Sequence, residues 1–587
     1  MAWRLNLAWF ALAVAPVLWL TPVLTGGVAL HGQSDRFLRE QDIWLLAGLS
    51  AAIFVCPLMW GPARRLARRA IWPLSARATL IGAAALVALI GWIGASLVFG
   101  GYPLSRDETL AGFGAAMISH GQAWAPVAPE WRAYAAALEP EFVRFTAGAT
   151  LWQPAYLPVN AALRAIGGAV GLAALVNPVL AAISVVAVYA VARRLWPARP
   201  NLALTAAILL ATSSQLLVTA MTPYAMTAHL AFNLAWLWLY LRGGRSGHTG
   251  ALAVGFLATG LHQIAFHPLF AAPFVLQLWS ERRWRLALTY TLAYAGICLF
   301  WLDYASLTLT LSGGAAPAAT VGGIGGFGGQ VAALIGGQRP PTVRTMAENL
   351  IRFMVWQNFL LAPLAALGCV AAVRAGGTLR ALVAGIVLTT AAMCLLMPYQ
   401  GHGWGYRYWQ GLLGSFVLVA TFGWGRLVDR LADADRGAAG VLFAGAATAC
   451  LLVEFPIEAT MAHDFARPYA SAWAAIRAAP SQLVFVDPRG GWYVDDLVRN
   501  DPYLVDHPLV LREQTLTLAQ IRTLCGRYTV SIFDAGDAAD FGVRAAPTRV
   551  GAGGLSRWRR LGLPLSCGPN GVPVVEVTPW LPRRGSS

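Results

Sequence analysis

The sequence predicts an all-α polytopic membrane domain of about 13 transmembrane helices, followed by a small α/β soluble domain. Of its 587 residues 57% are hydrophobic and 12% are charged, whereas a soluble protein carries roughly 25% charged residues. Segments of about 20 apolar residues, long enough to cross roughly 30 Å of hydrocarbon, recur as far as residue 455. Beyond residue 460 charged residues return and short β-rich segments appear. Most of the chain is therefore expected in a membrane.

Hydropathy and arginine placement together predict the individual spans. The pair 249–266 and 268–280 is kept as two spans, because merging it would invert the sidedness of every later arginine cluster. The first stretch is interpreted as a retained span, since it is longer than the apolar core of a signal peptide. The predicted spans are 8–30, 42–60, 78–100, 172–192, 202–219, 225–241, 249–266, 268–280, 286–303, 353–373, 381–397, 410–425 and 438–455.

The formal net charge of +16 comes from arginines that indicate how the chain is oriented in a membrane, and no nucleic-acid partner is expected. The arginines lie in short clusters between apolar segments and not along one stripe. The linker 61–77 has five arginines and no acid, so the positive-inside rule places it in the cytoplasm. The sequence then predicts a multi-pass protein of the bacterial cytoplasmic (inner) membrane, with the N-terminus inside. The loops 101–171, 304–352 and 398–409 and the C-terminal segment are expected outside.

The chain is predicted to divide into a transmembrane domain, 1–455, and a soluble extracytoplasmic domain, 456–587. In the soluble domain, the sequence predicts strands at Leu483–Val486 and Tyr528–Phe533. Its two cysteines, Cys525 and Cys567, are expected to form a disulfide, because an outer compartment is oxidising. That bond would stabilise the domain by roughly 3 to 4 kcal/mol.

Two kinds of pattern that often mark ligand sites, a glycine-rich loop and a zinc-ligand spacing, do not predict a ligand site in this sequence. The segment 312–341 contains the glycine-rich Gly322–Gly329, but no strand precedes it and no GK[ST] follows, so it is interpreted as a flexible external loop. No CxxC pair or His/Cys cluster has zinc spacing, so no metal ligand is predicted.

The most informative charged residues are Arg106, Asp107 and Glu108, just beyond the third predicted span. A fixed carboxylate at this boundary can act as a general base or hold a divalent cation. The alternative is that the three residues are interfacial charges that cap the next helix. The segment 108–147 is predicted to form amphipathic surface helices, which favours a functional first external loop.

A second candidate lies in the short outer loop 398–409, which contains His402, Tyr406, Arg407 and Tyr408. An arginine here can pair bidentately with a phosphate oxyanion. The alternative is an interfacial aromatic belt with a snorkelling arginine.

Two histidines form a third candidate. His262 and His267 are predicted near the outer end of one helix, where they would contact substrate or form helix-packing hydrogen bonds. Their i, i+5 spacing does not fit a helical zinc pair.

The order of these features resembles a known family. Acidic residues follow an early span, an amphipathic loop comes next, then the Pro-aromatic segment 152–160, and then a helix that ends in the ArgArgLeu-Trp turn 193–196. This order is similar to the GT-C superfamily, in the branch of protein O-mannosyltransferases and bacterial aminoarabinose transferases, over about residues 100–425. The chain differs in carrying extra membrane-spanning sequence ahead of the loop. It also has Leu261-His262-Gln263 where relatives often have a Thr-Lys pair, which leaves the donor sugar open.

The resemblance implies a GT-C-like fold and an inverting glycosyltransferase. It would move a hexosyl or pentosyl group from a polyprenyl-phosphate donor to a lipid, glycan or protein acceptor on the outer face. The family's catalytic acid falls on Asp107 with Glu108 as the adjacent carboxylate, and Arg407 and Tyr408 match the family's Arg-Tyr. A divalent cation near Asp107 and Glu108 is the one cofactor that the pattern allows. The predicted substrate-binding residues are Arg106, His262, His267, His402, Tyr406, Arg407 and Tyr408.

Two other function classes compete with this interpretation. A polytopic transporter or lipid flippase would place ionisable residues near mid-helix and often contains inverted repeats, whereas the charges here gather in outer loops. The third hypothesis is a membrane enzyme of another class, such as an O-antigen ligase or an O-acyltransferase. A ligase would have a large external loop with Arg and His between late spans, which the Gly-rich loop 304–352 does not resemble.

Overall fold

A computed structural model describes residues 2–26, 32–68, 75–139, 141–313, 342–544 and 554–577. Eight of its helices have the length and composition of membrane spans, and they coincide with eight of the predicted ones. Short π-helical turns at Leu38–Asp42 and Cys450–Glu454 interrupt two of them. The eight are Arg4–Leu24, Gln33–Ala67, Ala76–Leu97, Ala173–Leu195, Trp284–Leu311, Gly377–Leu396, Arg407–Val428 and Asp435–Arg477.

The other five predicted spans correspond to helices that fall short of a full span in length or in apolar composition, or that are interrupted. One is a pair bent by 58°, because Ser213 leaves the helical conformation and caps a new helix by accepting a hydrogen bond from the amide of Leu216. The described residues therefore contain eight full spans, or nine if the bent pair counts as one. The helices concerned are Pro200–Ala211 with Ser214–Ala220, Ala225–Arg242, Gly244–Thr259, Phe266–Ser280 and Leu361–Ala375.

The chain forms two compact units that are not continuous in sequence. The first, the membrane unit, comprises Met1–Gly94, Ala174–Asp303 and Gly322–Met461. The second, the loop–tail unit, comprises Ala95–Ala173, Tyr304–Val321 and Ala462–Ser587. The sequence predicted a division at residue 455, with the first external loop in the transmembrane domain. In the structure that loop belongs with the C-terminal segment.

In the membrane unit, two helices approach closely through glycine. A Cβ atom at Gly368 would collide with the carbonyl oxygen of Val419, and one at Gly423 with the carbonyl oxygen of Leu364. Small residues at a helix crossing let two backbones pack directly, which is typical of helices in membranes. A further helix, Thr342–Val355, precedes this pair. The predicted flexible loop at 312–341 lies almost wholly outside the described residues.

The loop–tail unit begins with the first external loop. Its helices there are Arg106–Ser119, Ala135–Leu138 and Val159–Ala169. Three strands, β1 (Ala125–Pro126), β2 (Val143–Phe145) and β3 (Leu151–Pro154), form an antiparallel sheet in the order β1-β3-β2. The predicted helix is present at Arg106–Ser119, although most of its side chains are buried. The prediction of helices through 147 is wrong at β2, where Phe145 lies against Trp152 and Val143 packs on the same buried core.

The C-terminal segment forms a parallel sheet. Its strands are β4 (Leu483–Val486), β5 (Leu509–Arg512), β6 (Val530–Phe533) and, after the hairpin β7 (Ser566–Cys567) and β8 (Val572–Pro573), β9 (Val575–Glu576). The order is β5-β4-β6-β9 with every pairing parallel. The helices of this segment are Phe455–Arg477, Leu518–Cys525, Ala535–Asp540 and Gly554–Arg560.

One apolar core unites the external loop with the parallel sheet. Phe113 packs edge-on against Trp152 with ring centroids 5.3 Å apart, and Trp131 stacks on Tyr528 at 5.5 Å. The same buried cluster includes Phe485 of β4. Burial of large aromatic rings is among the strongest contributions to a core, so the loop folds as part of this unit.

The predicted disulfide is confirmed. Cys525 and Cys567 are bonded with their Cα atoms 4.6 Å apart and 42 residues apart in sequence. The bond joins the end of the helix Leu518–Cys525 to the hairpin strand β7. A loop of this length gives roughly 3 to 4 kcal/mol on the chain-entropy model.

Candidate functional site

The helix that carries the predicted catalytic carboxylates starts at a capping box. Ser105 is the N-cap, and its hydroxyl accepts a hydrogen bond from the amide of Glu108 at 3.3 Å. The Glu108 carboxylate in turn accepts from the amide of Ser105 at 3.2 Å and from its hydroxyl at 3.0 Å. The sequence Ser-x-x-Glu is the usual signal for this arrangement. The predicted alternative, charges that cap a helix, is thus correct for Glu108.

Asp107 occupies a different environment although it adjoins Glu108. Its side chain is partly exposed and accepts a hydrogen bond from the hydroxyl of Tyr156. Tyr156 follows β3, and its ring stacks on Phe142 with centroids 5.5 Å apart. Asp107 also lies in the first turn of a helix, where the backbone dipole favours a negative charge. Of the two adjacent carboxylates, Asp107 is the more exposed.

Glu108 is almost wholly buried, with 1% of its surface exposed. Burial disfavours the charged form and raises the pKa of Glu108 to about 7, against an ordinary value of 4.5. Its second carboxylate oxygen has no hydrogen-bond partner among the described residues. Glu108 therefore caps the helix and titrates near neutral pH.

Arg106 is buried, and its guanidinium bonds to the protein. It forms an ion pair with Glu139 and donates to the carbonyl oxygens of Val498 at 2.7 Å and Asp495 at 2.5 Å. This geometry assigns Arg106 to folding of the loop, in place of the predicted contact with substrate. Such pairing is what a buried arginine requires.

Arg499 completes the same attachment from the tail. It donates to the carbonyl oxygens of Pro103 at 2.6 Å and Leu104 at 3.0 Å, and its guanidinium lies 4.2 Å from the ring centroid of Tyr102. Arg499 thus holds the three residues Tyr102, Pro103 and Leu104, and Arg106 holds the first residue of the helix through its own side chain. We call Arg106 and Arg499 the arginine clamp.

In the membrane unit, the loop 398–406 is fixed by polar side chains. Asn349 donates to the carbonyl oxygen of Pro398 at 2.8 Å. Arg352 donates twice to the carbonyl oxygen of Gly403, at 3.1 and 2.7 Å, and pairs with Asp42 at 2.8 Å. Gln400 accepts from the amide of Arg407 at 2.8 Å. The conformation of this loop is therefore set by buried groups.

Arg407 and His402 converge on one hydroxyl. Arg407 donates to the hydroxyl of Tyr224 at 3.5 Å, and the Nδ1 atom of His402 lies 3.4 Å from the same oxygen. The Arg407 guanidinium also faces the rings of Tyr224 and Tyr408, at 5.6 and 5.2 Å. The side-chain amide of Asn177 donates a hydrogen bond to the backbone carbonyl oxygen of Tyr224 at 2.8 Å. We call Tyr224, His402 and Arg407 the Tyr224 cluster.

The two neighbouring tyrosines have different surroundings. Tyr406 is fully buried, and its carbonyl oxygen accepts from Gln215 at 3.0 Å. Tyr408 is 8% exposed and faces Phe266 with ring centroids 5.8 Å apart. Tyr406 thus supports the loop, and Tyr408 supports the Arg407 side chain.

The prediction that His262 and His267 share one helix is wrong. His262 lies in the turn between the helices Gly244–Thr259 and Phe266–Ser280, and His267 lies in the first turn of the second. His267 is buried, with Nδ1 at 2.7 Å from Asn233 Oδ1 and Nε2 at 2.7 Å from the hydroxyl of Tyr294. His267 is therefore a helix-packing residue, which was the alternative interpretation.

Sequence reasoning missed Tyr156 and Tyr224 as site residues. Tyr156 lies in the Pro-aromatic segment 152–160, and each tyrosine closely follows a proline, at 154 or 223. Their roles depend on contacts more than 45 residues distant in sequence. Among the described residues, no group of three His, Cys, Asp or Glu side chains is placed to hold one metal ion.

Comparison with known proteins shows similarity at the level of fold. No family model matches the chain, and a search of curated proteins finds no matching sequence. A crystal structure of ArnT from Cupriavidus metallidurans bound to undecaprenyl phosphate superposes with a TM-score of 0.50 and 12% identity, over 73% of this chain and 85% of that one. The apo ArnT structure from the same organism superposes with a TM-score of 0.49 and 13% identity, over 74% of this chain and 86% of that one. The resemblance predicted from the sequence is thus confirmed at the level of the fold, which the chain shares with ArnT.

Replacing Glu108 with Gln is expected to flatten the pH dependence of stability. Because the pKa of Glu108 is raised by burial, its contribution to the free energy of unfolding is present below about pH 4.5 and is lost as pH rises through about 7. Glutamine keeps the capping hydrogen bonds but does not ionise. The fall in stability between about pH 5 and about pH 8 should shrink, by an amount on the order of 3 kcal/mol.

Thermal unfolding of the detergent-purified protein at the two pH values measures this effect. The exposed Glu130→Gln is the matched control and should behave as wild type. An unchanged pH dependence in Glu108→Gln would contradict the assignment.

Proposed function

We propose that the protein is an inverting glycosyltransferase that moves a sugar from a polyprenyl-phosphate donor to an acceptor hydroxyl or amine. The observation that carries the proposal is the Tyr224 cluster, in which Arg407 and His402 meet at the hydroxyl of Tyr224. Cationic and hydroxyl donors at one point are suited to a phosphate oxyanion. The fold is shared with ArnT, which binds undecaprenyl phosphate in one of its structures.

In this proposal Asp107 is the catalytic base. Its carboxylate takes the proton of the acceptor, whose heteroatom attacks the anomeric carbon as the bond from that carbon to the phosphate oxygen breaks. The electron pair of the broken bond leaves with the polyprenyl phosphate, and Arg407 neutralises the added negative charge. One displacement inverts the anomeric centre. Tyr156 orients Asp107 through its hydrogen bond.

The location of the reaction follows the predicted topology. We assign it to the outer face of a bacterial inner membrane, with about 13 crossings, the N-terminus inside and the C-terminal α/β domain outside. The distribution of arginines supports this sidedness, and so does the Cys525–Cys567 disulfide, which an oxidising compartment favours. A divalent cation near Asp107 and Glu108 remains a prediction, as do the hexosyl or pentosyl nature of the donor and the identity of the acceptor.

Asp107→Asn is expected to abolish transfer without loss of folding. Asparagine keeps the size and can accept from Tyr156, but it cannot take a proton, so the rate should fall on the order of 10² to 10⁴-fold. The measurement is release of undecaprenyl phosphate from undecaprenyl-phosphoryl hexose and undecaprenyl-phosphoryl pentose, each supplied with an extract of outer-face glycolipids. Tyr156→Phe should lose about tenfold, because one hydrogen bond to a charged group is removed.

The control is Glu141→Gln, an exposed carboxylate of the same loop, which should retain full activity. Wild-type turnover by Asp107→Asn would place the base elsewhere. If intact protein translocates the donor across vesicle membranes and never cleaves it, the flippase alternative replaces the enzyme.

Arg407→Lys is expected to weaken the binding of undecaprenyl phosphate by about tenfold, although the charge is kept. Lysine lacks the planar fork that bonds two oxygens and stacks between the Tyr224 and Tyr408 rings. Titration of the detergent-purified protein with undecaprenyl phosphate gives the dissociation constant, and the melting temperature reports folding.

Arg374→Lys, an exposed arginine of the same unit, is the matched control. Equal affinity and equal transfer rate in Arg407→Lys would reassign Arg407 to anchoring at the membrane interface.

A further inference from the structure

A pocket lies between helices of the membrane unit and is open on one side. Its volume, measured up to the opening, is about 540 Å³. Leu5, Ile53, Leu364, Trp424 and Phe443 line it, and each of these side chains is buried. The helices that contribute lining residues are Ala2–Leu24, Gln33–Ala67, Leu361–Ala375, Leu413–Val428 and Asp433–Ala449. The pocket therefore joins segments from both ends of the membrane unit.

The surface of this pocket is almost wholly apolar, because Leu, Ile, Pro, Phe and Trp side chains make up most of it. An ordered water molecule needs about two to four polar partners, which such a lining does not offer. An empty pocket would forfeit the dispersion contacts of the atoms that line it. In a membrane the surrounding medium is hydrocarbon, so a hydrocarbon chain is the occupant that this lining fits.

The open side of the pocket lies at a boundary between apolar and polar surroundings. The lining residues Asn6, Cys56, Trp60 and Leu442 are half-buried and mark the opening. The ring of Trp60 lines the pocket, and its indole N–H donates to Asp435 at 3.3 Å. A tryptophan with an apolar body and a polar partner is typical of the membrane–water interface. Leu442 lies about 10 Å beyond Asp435 along the same helix, so the pocket extends from this boundary into the apolar layer.

Arginines surround the same end of the pocket. Arg64 follows Trp60 by one helical turn and bonds Asp435 at 2.5 Å through Nε, which is one of its five N–H donors. Its side chain is 49% exposed, so the rest of the guanidinium faces outward. Arg65 and Arg68 follow on the same segment and are also exposed. Clusters of basic residues beside a transmembrane helix attract anionic lipid headgroups. Cationic groups beside an apolar pocket are complementary to an anionic phospholipid.

We propose that this pocket holds one acyl chain of an anionic phospholipid, with the lipid phosphate at Arg64. The lipid belongs to the leaflet at the arginine-rich end of the helices, which the positive-inside rule assigns to the cytoplasm. The pocket is separate from the Tyr224 cluster, because Arg407 and Trp424 lie about 25 Å apart along the helix Arg407–Val428. The bound lipid takes no part in the proposed transfer reaction and does not depend on it.

Native mass spectrometry of the delipidated, detergent-purified chain tests the proposal. The probes are palmitoyl-oleoyl phosphatidylglycerol and palmitoyl-oleoyl phosphatidylcholine, which share their chains and differ in net charge. Wild type should hold one phosphatidylglycerol per chain, about fivefold more tightly than phosphatidylcholine. Leu442→Trp fills the opening with a larger ring and should weaken the binding of both lipids by about tenfold or more. Leu452→Trp, at an exposed position of the same long helix, should bind as wild type.

The charge of the headgroup is tested separately, so the proposal stays decidable even where Leu442→Trp does not fold. Arg64→Gln should bind the two lipids equally, whereas Arg374→Gln, at an exposed arginine of the same unit, should keep the preference. Equal binding of phosphatidylglycerol by wild type and folded Leu442→Trp, or an unchanged preference in Arg64→Gln, would overturn the proposal. Loss of undecaprenyl phosphate binding or of a dimer in Leu442→Trp would also overturn it, by assigning the pocket to the donor's chain or to a second copy.

Discussion

The loop–tail unit depends on the arginine clamp. Arg106 and Arg499 are both buried, and together they bond five backbone carbonyl oxygens and pair with the carboxylates of Glu139 and Asp496. Removing one partner of such a buried pair commonly costs 3 to 5 kcal/mol, because the remaining charge has no compensation. The clamp fixes the residues that lead into the helix Arg106–Ser119. The position of Asp107 is therefore decided by residues almost 400 positions away in sequence.

The membrane unit uses the same device at its own candidate site. Arg352 is buried, pairs with Asp42 and bonds the carbonyl oxygen of Gly403 twice. That carbonyl lies in the loop that carries His402 and leads into Arg407. In both units a buried arginine holds main-chain oxygens near a side chain of the proposed site. Preorganisation of this kind lets a functional group act without first being ordered.

Several features could be predicted from sequence because each rests on a local signal or on one strong physical constraint. The apolar length of the eight full spans, the strands β4 and β6 and the Ser105–Glu108 capping pattern are of this kind. The Cys525–Cys567 pair followed from the small number of cysteines expected outside. The family resemblance rested on the order of motifs, and the chain shares its fold with ArnT. The roles that the resemblance gives to Asp107 and Arg407 stay predictions.

Other features depend on tertiary contacts that no local pattern contains. Arg106, Asp107 and Glu108 are adjacent in sequence, and only the fold shows that the first is held by buried partners, the second is partly exposed and the third is buried. His267 reads equally well as a ligand or a packing residue until Asn233 and Tyr294 are placed beside it. The grouping of the external loop with the tail was missed for the same reason, since their shared core joins segments far apart in the chain.

Amide hydrogen exchange in Arg499→Met tests the role of the clamp most directly. Methionine keeps much of the apolar stem but leaves the carbonyl oxygens of Pro103 and Leu104 without a donor. Exchange at residues 105–110 should accelerate by about tenfold or more, while the helix Leu413–Val428 of the membrane unit stays as protected as in wild type. Unchanged protection at residues 105–110 would show that Asp107 is positioned without the clamp and would contradict this account.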